Sequence, residues 1–421
     1  MPIQTLRRPQ RQPQRRPQRR SQRRPRSTSA RLPHGPGFWL VAAAFLTAMA
    51  FSAVPTPLYV LYQRRDHFSA LTVSVVFASY AVGVAVSLFL AGHLSDRLGR
   101  RRVLVPALLL EAAAAQVFLF APTLGGLIAA RLLTGLGIGV ITATATAHLG
   151  ELHAAARPGA HRARADLTAT AANLGGLGLG PLVSGLLAQY VDSPLRTPYV
   201  VFTALLLAGA LGVAFAPETV EPAPGRTPYR PQRVSVPRDA RPRFFAAAAA
   251  AFAAFAILAL FASLAPGFVA GTMHHPSRAL AGLVALIAFG TAAVAQALLG
   301  RVRVRRQLLV GMVLSTAGLV PTSAALWLPN LPLFLAGGAA AGAGAGILLK
   351  GTITTVAELT TPARRGETLA GLFLGGYLGV AVPVLGLGVA TLYVSSQVAL
   401  LGFAAAMLAL VIAAGRPLLA D

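Results

Sequence analysis

The sequence has no cysteine, few charged residues and no recognisable enzyme motif. Without cysteine the chain forms neither disulfides nor thiolate metal sites. Cysteine usage therefore gives no information on the redox state of its compartment. Charged residues make up only 12% of the 421 residues and hydrophobic residues make up 55%, which is unlike a soluble domain. We find no nucleophile with a partner base, no metal-ligand cluster and no phosphate-binding loop. We therefore expect no enzyme, no cofactor and no metal site.

The sequence contains twelve long apolar segments. Each is long enough to cross about 30 Å of hydrocarbon as a helix. Residues 244–264 are apolar throughout and do not alternate every two residues, which favours helices over barrel strands. The sequence therefore predicts an all-α integral membrane protein. The predicted spans are residues 37–62, 70–92, 103–121, 123–149, 166–190, 197–216, 244–270, 278–300, 307–328, 331–356, 366–392 and 395–415.

Arginines between the spans predict the orientation. The formal net charge of +25 would suit a nucleic-acid partner, but almost all basic residues are arginines in loops, where they act as topology signals. If the N-terminus is cytoplasmic, nineteen arginines fall in inward loops and four in outward loops. The inward ones are Arg97, Arg100, Arg101, Arg102, Arg157, Arg162, Arg164, Arg226, Arg230, Arg233, Arg238, Arg241, Arg243, Arg301, Arg303, Arg305, Arg306, Arg364 and Arg365, and the outward ones are Arg64, Arg65, Arg196 and Arg278. We predict cytoplasmic termini, a plasma-membrane location and no specific nucleic-acid partner.

The domain organisation follows from composition and from a weak internal repeat. An Arg-, Gln- and Pro-rich arm, residues 1–36, has too few apolar residues to build a core and is predicted to be disordered, either solvated or held on anionic lipid. Two six-helix bundles, residues 37–216 and 244–415, flank a cytoplasmic linker, residues 217–243, and a tail, residues 416–421, follows. Gly139, Glu151 and Arg157 match Gly346, Glu358 and Arg364 at a constant offset, and Pro181 matches Pro383 nearby.

A polar turn between spans 2 and 3 carries the most specific motif. It runs from Gly92 to Arg102 and holds Asp96 among four arginines. This turn resembles the Gly-x-x-x-Asp-Arg-x-Gly-Arg-Arg pattern of the major facilitator superfamily, and the resemblance covers residues 37–415. It implies a gating cluster of Gly92, Asp96, Arg97, Gly99, Arg100 and Arg101, which breaks when the cytoplasmic side opens. Glu151, Arg157, Glu358 and Arg364 are the candidate inner-gate partners, with solvated helix ends as the alternative.

Two charges are predicted inside the membrane. Glu111 in span 3 and Arg131 in span 4 lie at similar depths when counted from the turn near Pro122, so we predict that they face each other. The alternative is a protonated Glu111 that points into a gap in the packing. Arg131, Gly135 and Gly137 also resemble the superfamily's span 4 pattern, which is linked to proton coupling. Span 1 has no carboxylate, so either the proton site is Glu111 or His148 or the protein is not proton-coupled.

Span 5 and the helices that line the cavity in this fold supply the other candidates. Gly176, Gly180, Pro181 and Gly185 resemble the Gly-Pro motif of the drug/proton antiporter branch, although small residues also serve ordinary helix packing. The candidate cavity residues are Tyr80, Asn173, Gln296, Lys350 and Tyr377, and for all but Lys350 the alternative is packing or an interhelical hydrogen bond. Lys350, the only lysine, either meets an anionic substrate or extends to the membrane interface.

These features predict a secondary active transporter. The leading hypothesis is export of a small amphipathic molecule by alternating access with proton antiport, by a monomer in the lipid bilayer. The alternatives are uptake or facilitated movement of a metabolite, and a receptor or scaffold that has lost transport. Neither the substrate nor the direction of transport follows from side chains whose facing is unknown.

Overall fold

A computed structural model describes residues 32–91, 94–220, 234–300, 302–361 and 364–420. It confirms the all-α fold and the twelve spans, each a helix long and apolar enough to cross a membrane. The N-terminal arm and most of the linker lie outside the described residues. The helices are α1 His34–Asp66, α2 Ala70–Ala91, α3 Arg100–Phe120, α4 Leu124–Ala156, α5 Ala163–Tyr190, α6 Thr197–Phe215, α7 Arg241–Ser263, α8 Arg278–Leu299, α9 Val304–Trp327, α10 Leu331–Glu358, α11 Arg365–Ala390 and α12 Ser396–Leu419.

Several helices continue past the predicted ends of their spans. Helix α4 ends seven residues beyond the predicted boundary, and α3 and α7 each begin three residues earlier than predicted, at an arginine. The apolar pattern marks where the hydrocarbon ends, whereas helical hydrogen bonding continues into the polar region. Three arginines of the motif between spans 2 and 3, Arg100, Arg101 and Arg102, therefore form the first turn of α3, whereas Arg97 lies in the short helix Ser95–Leu98 before it.

Helices α1 and α7 are interrupted at matching places. A turn at Val54 precedes Pro55 in α1, and Leu264 separates α7 from a short helix, Ala265–Gly271, that begins just before Pro266. Proline removes a backbone donor and blocks the normal helical bond. The two interruptions contact each other, since the Thr56 hydroxyl donates to the carbonyl of Ala262 at 2.8 Å.

The helix packing repeats between the two halves, which are named here as α1–α6 and α7–α12. In the first half α1 packs on α4, α5 and α6, α2 on α4, and α3 on α4 and α6. In the second half α7 packs on α10, α11 and α12, α8 on α10, and α9 on α10 and α12. The main contacts between the halves, α2 with α11 and α5 with α8, also correspond to each other. This pattern is expected for two related bundles.

The ends of the linker pack against the bundle. After α6, Pro217 contacts Gly37 and the imidazole of His148. Before α7, the carbonyl of Ser235 accepts a hydrogen bond from Thr368 on α11. The predicted linker is therefore too long at its second end, because residues 241–243 belong to α7.

Candidate substrate cavity and charge cluster

A cavity of about 460 Å³ lies between the two halves. All five candidate residues line it: Tyr80 on α2, Asn173 on α5, Gln296 on α8, Lys350 on α10 and Tyr377 on α11. Asn173 lies in a π-helical turn of α5, residues 171–175, a local irregularity that often occurs at functional sites. Whether these side chains contact a substrate stays a prediction.

The cavity wall is mostly apolar and rich in aromatic rings. Phe77, Phe255, Phe289 and Phe373 line it together with aliphatic side chains, and the rings of Phe255 and Tyr377 are 5.3 Å apart. Hydroxyl and amide groups from threonine, serine and asparagine side chains are spaced between them. Such a surface fits a small molecule with a large apolar part and a few hydrogen-bonding groups.

Three charged side chains line the cavity. Arg131 is only 2% exposed, and the sequence did not place it on this surface. Lys350 is half-buried, and its amine lies beside Gly300 at the C-terminal end of α8, where the helix dipole favours a cation. Asp166 is exposed and pairs with Arg162 at 3.2 Å. Lys350 thus lies on the cavity wall, and its contact with an anionic substrate stays a prediction.

The cavity is closed at one end and open at the other. We call the end at which α1 begins the inner end, because it is predicted to be cytoplasmic, and the opposite end the outer end. At the outer end the Arg278 guanidinium on α8 donates to the carbonyl of Ala188 on α5 at 2.9 Å, and Gly388 on α11 lies against Ser74 on α2. Towards the inner end the lining reaches exposed Asp166.

A charge cluster centred on Arg100 lies at the inner end of the first half. The Arg100 guanidinium contacts Asp96 at 2.5 Å, Glu151 at 2.8 Å and the Ser95 hydroxyl at 2.8 Å. The Thr219 hydroxyl donates to the other oxygen of Glu151. The cluster therefore joins the start of α3 to the end of α4 and to the segment after α6.

Glu218 completes this cluster and was missed by the sequence interpretation. Its carboxylate accepts hydrogen bonds from the backbone amides of Arg100 at 2.8 Å and Arg101 at 3.1 Å, so it caps α3. The carboxylate lies where a side chain at Gly99 would begin, and Gly99 has a φ of +101° that favours glycine. The available signal was an acid just after a span, at the start of a mostly basic loop.

Two observations bear on the predicted gate, which stays a prediction. The cluster is intact while the cavity is open at the same end, because its contacts lie within one half and need not break when the halves separate. Arg157, Glu358 and Arg364 are exposed and take part in none of the ion pairs found among the described residues. They are solvated helix ends in this conformation. Arg97 is exposed, the Arg101 guanidinium donates to the carbonyl of Ala214, and Gly92 lies outside the described residues.

A sequence model of the Major Facilitator Superfamily matches residues 40–320, more than half of the chain. The chain belongs to this superfamily. It is therefore a multi-pass membrane transporter and not an enzyme.

Characterised relatives of this superfamily chain match only in part. The arabinose-proton symporter of Bacillus subtilis is 36% identical over 91 residues, which is 22% of this chain and 19% of the relative. The bacillibactin exporter of the same organism is 27% identical over 139 residues, 32% of this chain and 34% of the relative. The chain thus spans about a fifth to a third of these relatives' length, and one relative is named a proton symporter whereas the other is named an exporter.

Two solved structures share the superfamily fold over nearly the whole chain. The human organic anion transporter MFSD10 is 16% identical with a TM-score of 0.67, covering 92% of this chain and all of that one. The nucleoside transporter NupG, solved as a mutant, is 14% identical with a TM-score of 0.68, covering 91% and 99%. At these identities the similarity concerns the fold alone.

The structure does not pair Glu111 with Arg131, although both are buried in this superfamily transporter. The carboxylate of Glu111 packs against Gly137 on α4, and neither oxygen has a hydrogen-bond partner among the described residues. The Arg131 guanidinium instead donates to the carbonyl of Ser52 on α1 at 2.5 Å and lies 4.6 Å from the Tyr80 ring centre. Six residues along α4 separate Arg131 from Gly137, about 9 Å in height and about 120° in direction. Similar depths counted from Pro122 therefore do not bring the two side chains together, because they point in different directions.

His148 belongs to the inner end of the transporter and not to the cavity. It is fully buried on α4, and its Nε2 lies 3.0 Å from the carbonyl of Pro217. That contact places the ring hydrogen on Nε2. The His148 side chain does not line the cavity, so the cavity geometry does not support its candidate role as a proton site.

The small residues of α5 form two faces of contact. Gly176 and Gly180 lie against α1, where a side chain at Gly180 would overlap the backbone of Ala50. Pro181 and Gly185 face α8, where Gly282 and the carbonyl of Arg278 approach. The Gly-Pro motif therefore allows α5 to pack closely on its own half and on the other half at once.

Proposed function

We propose that this transporter exports a small amphipathic molecule by alternating access. The observation that supports this proposal is the central cavity, which is closed at the outer end and reaches the inner end. In this conformation a substrate enters from the predicted cytoplasm. Loosening the contacts of α5 with α8 and of α2 with α11 at the outer end, and closing the inner end, would then release it outside.

Proton antiport is the proposed coupling. Glu111 supports it, because a fully buried carboxyl without a hydrogen-bond partner is stable only when it is neutral. A carboxyl that binds a proton in one conformation and loses it in another can drive exchange. The acid-free first span agrees with a proton site on another helix.

Uptake or facilitated movement of a metabolite is the second candidate. The specific observation in its favour is that the cavity carries the basic groups Arg131 and Lys350, whereas its acid Asp166 is paired with Arg162. An anionic metabolite would compensate these charges. Protons and the anion would then cross the membrane in the same direction, as in symport, and not in opposite directions, as in antiport.

Flux in proteoliposomes separates these candidates. We would test three fluorescent aromatic probes of matched size that are cationic, neutral and anionic. Export by antiport predicts that a probe accumulates in vesicles with an acidic lumen, because protons leave as the probe enters. Accumulation driven by an acidic outside medium would support proton-coupled uptake, and exchange without a gradient would support a facilitator. No flux of any probe in well-folded protein would support the scaffold alternative.

We also propose a plasma-membrane location, cytoplasmic termini and a monomeric state. The even number of candidate spans supports a shared face of the membrane for the two ends of the described chain. Reporter tags at the two ends that respond to opposite sides of the bilayer would contradict the orientation. A mass measurement in detergent would test the monomer.

A further inference from the structure

We propose that an anionic phospholipid of the inner leaflet binds in a groove between α9 and α12. This inference goes beyond the proposed function and depends on neither the direction of transport nor its coupling. The groove has a volume of about 640 Å³ and shares no lining residue with the central cavity. Its lining is apolar apart from the hydroxyl of Thr316 and the guanidinium of Arg416.

Two exposed side chains border the groove, and buried residues form its floor. Val313 on α9 is 63% exposed and Ile412 on α12 is 59% exposed, and both line the groove. Between them lie Met312, Val411 and Gly415, which are buried. A side chain at Gly415 would begin 3.3 Å from the sulfur of Met312, so glycine at this position leaves the floor free. The groove therefore faces the hydrocarbon of the membrane and can hold a lipid chain.

The groove extends over one leaflet only. Its lining on α12 runs from Leu408 to Leu419, the last residue of the helix, which is about 16 Å at 1.5 Å per residue. On α9 the lining stops at Ala317, well before the outer end of that helix. The hydrocarbon of a bilayer is about 30 Å thick. The groove therefore begins at the inner end and stops near the middle of the membrane, as an acyl chain of the inner leaflet does.

The inner end of the groove is basic. Arg416 lines it from α12, and Arg305 and Arg306 lie in the first turn of α9. Seven residues are close to two helical turns, so Arg305 lies on the same face of α9 as Met312. Arg306 lies on the face of Val313 by the same spacing. All three arginines are exposed, and the groove side of both helices thus ends in positive charge.

These charges have no compensating acid among the residues that the structure describes. None of the three guanidiniums belongs to an ion pair there, and neither α9 nor α12 contains an acidic residue. The first turn of α9 adds backbone amides that no side chain caps, because its N-cap is Arg303. Amides at a helix start and nearby arginines both favour an anion.

A phospholipid satisfies both parts of the groove. Because Gly415 lies beside Met312, Arg416 is level with a position about 8 Å deeper in the membrane than the first turn of α9. Long arginine side chains from both helices can meet at a phosphate between these levels. A free phosphate would leave the apolar part empty. A second copy of this chain would bring equal charges together, since a twofold interface places the same surface on both sides.

The absence of cysteine allows a local test on the full-length chain in a neutral detergent. Thr316 is half-buried in the groove, and Thr316→Cys would be labelled with a small uncharged maleimide while dioleoyl phosphatidylglycerol or dioleoyl phosphatidylcholine is added. We expect half-maximal protection at a concentration of phosphatidylglycerol at least about fivefold lower than that of phosphatidylcholine, because the inner end of the groove is basic. Ala413→Cys is the control, since it is exposed on α12 outside the groove and should not be protected.

The variants determine whether the arginines hold the headgroup. In Thr316→Cys with Arg416→Gln, the concentration of phosphatidylglycerol that gives half-maximal protection should rise at least about fivefold. Arg305→Gln combined with Arg306→Gln should raise it as well. The matched variant Arg102→Gln removes an exposed arginine from the first turn of the corresponding helix α3 and should leave it unchanged. The three groove arginines are exposed, so their replacement leaves the packing of the helices intact.

Three results would overturn the inference. Equal protection by the two lipids would show that the groove does not recognise the charge of the headgroup. An unchanged concentration in Arg416→Gln would separate the groove from its basic end. Protection that grows with protein concentration in the absence of lipid would show that a second copy covers the groove. None of these results depends on flux, so the lipid site can fail in an active exporter and can hold in a protein whose proposed transport fails.

Discussion

At the scale of single residues, Arg100 shows how one guanidinium organises the inner end. It has 10% of its side-chain surface exposed and contacts two carboxylates and a hydroxyl. Only the planar fork of arginine can donate in these directions at once, since a lysine amine concentrates its charge at one point. The neighbouring Arg102 is exposed and has no such partners in the described structure.

We expect Arg100→Lys to destabilise the protein by about 1–3 kcal/mol, because Glu151 would lose a bidentate partner in a partly buried site. Thermal unfolding in detergent would measure this as a lower melting temperature than that of the parent. Arg102→Lys preserves charge and exposure and should melt like the parent. Equal melting of the two variants would mean that the Arg100 cluster does not hold the helix ends together.

Site residues could be predicted from the sequence when a motif or a helix end determines their position. They were missed when their role depends on the direction in which the side chain points. Asp96, Arg100 and Glu151 could be assigned because a motif and helix ends place them on one face of the membrane. Glu218 could not, because its value as a helix cap depends on how the segment after α6 folds back. The Glu111 and Arg131 pair failed because depth can be counted along a helix, whereas the facing of a side chain depends on packing.

At the scale of helices, the spans were predictable and their irregularities were not. Twelve apolar blocks sufficed for the fold because an unpaired backbone group is too costly in hydrocarbon to permit alternatives. The break before Pro55 and the π-helical turn of α5 depend on tertiary contacts that hydropathy does not record. Helix ends also extended past the apolar blocks, as at α4.

We expect Gly180→Ala to separate α5 from α1, since its methyl group would overlap the backbone of Ala50. Backbone atoms cannot turn aside as a side chain can, so the cost should be about 1–3 kcal/mol. Gly175→Ala is the control on the same helix, because nothing lies within 4 Å of its added methyl. Thermal unfolding of both variants would test this, and a parent-like Gly180→Ala would argue against tight packing.

At the scale of the whole molecule, two corresponding contacts between the halves close the outer end of the cavity. Helix α2 meets α11 and α5 meets α8, and each contact includes a glycine that lies against the other half, Gly388 in the first and Gly185 in the second. Because these contacts exist only while the outer end is closed, enlarging a glycine penalises this conformation alone. Contacts within each half are left unchanged.

Gly388→Ala should therefore favour the outward-open state. Its methyl group would lie 2.9 Å from Cβ and still closer to the hydroxyl of Ser74, and 3.1 Å from the Cα of Leu71. An overpacking cost of about 1–3 kcal/mol would shift the equilibrium about 5- to 150-fold. The measurement is the rate at which an impermeant maleimide, added at the outer face of the membrane, labels Ala53→Cys on the cavity wall.

The control is Gly386→Ala on the same helix, where the added methyl meets nothing within 4 Å. We expect labelling from the outer face to rise at least about fivefold with Gly388→Ala and to match the parent with Gly386→Ala. Labelling from the inner face should fall at the same time, because each molecule opens to one side only. A rise from both faces would indicate local loosening and not alternating access, since a shift between two states must trade one exposure for the other.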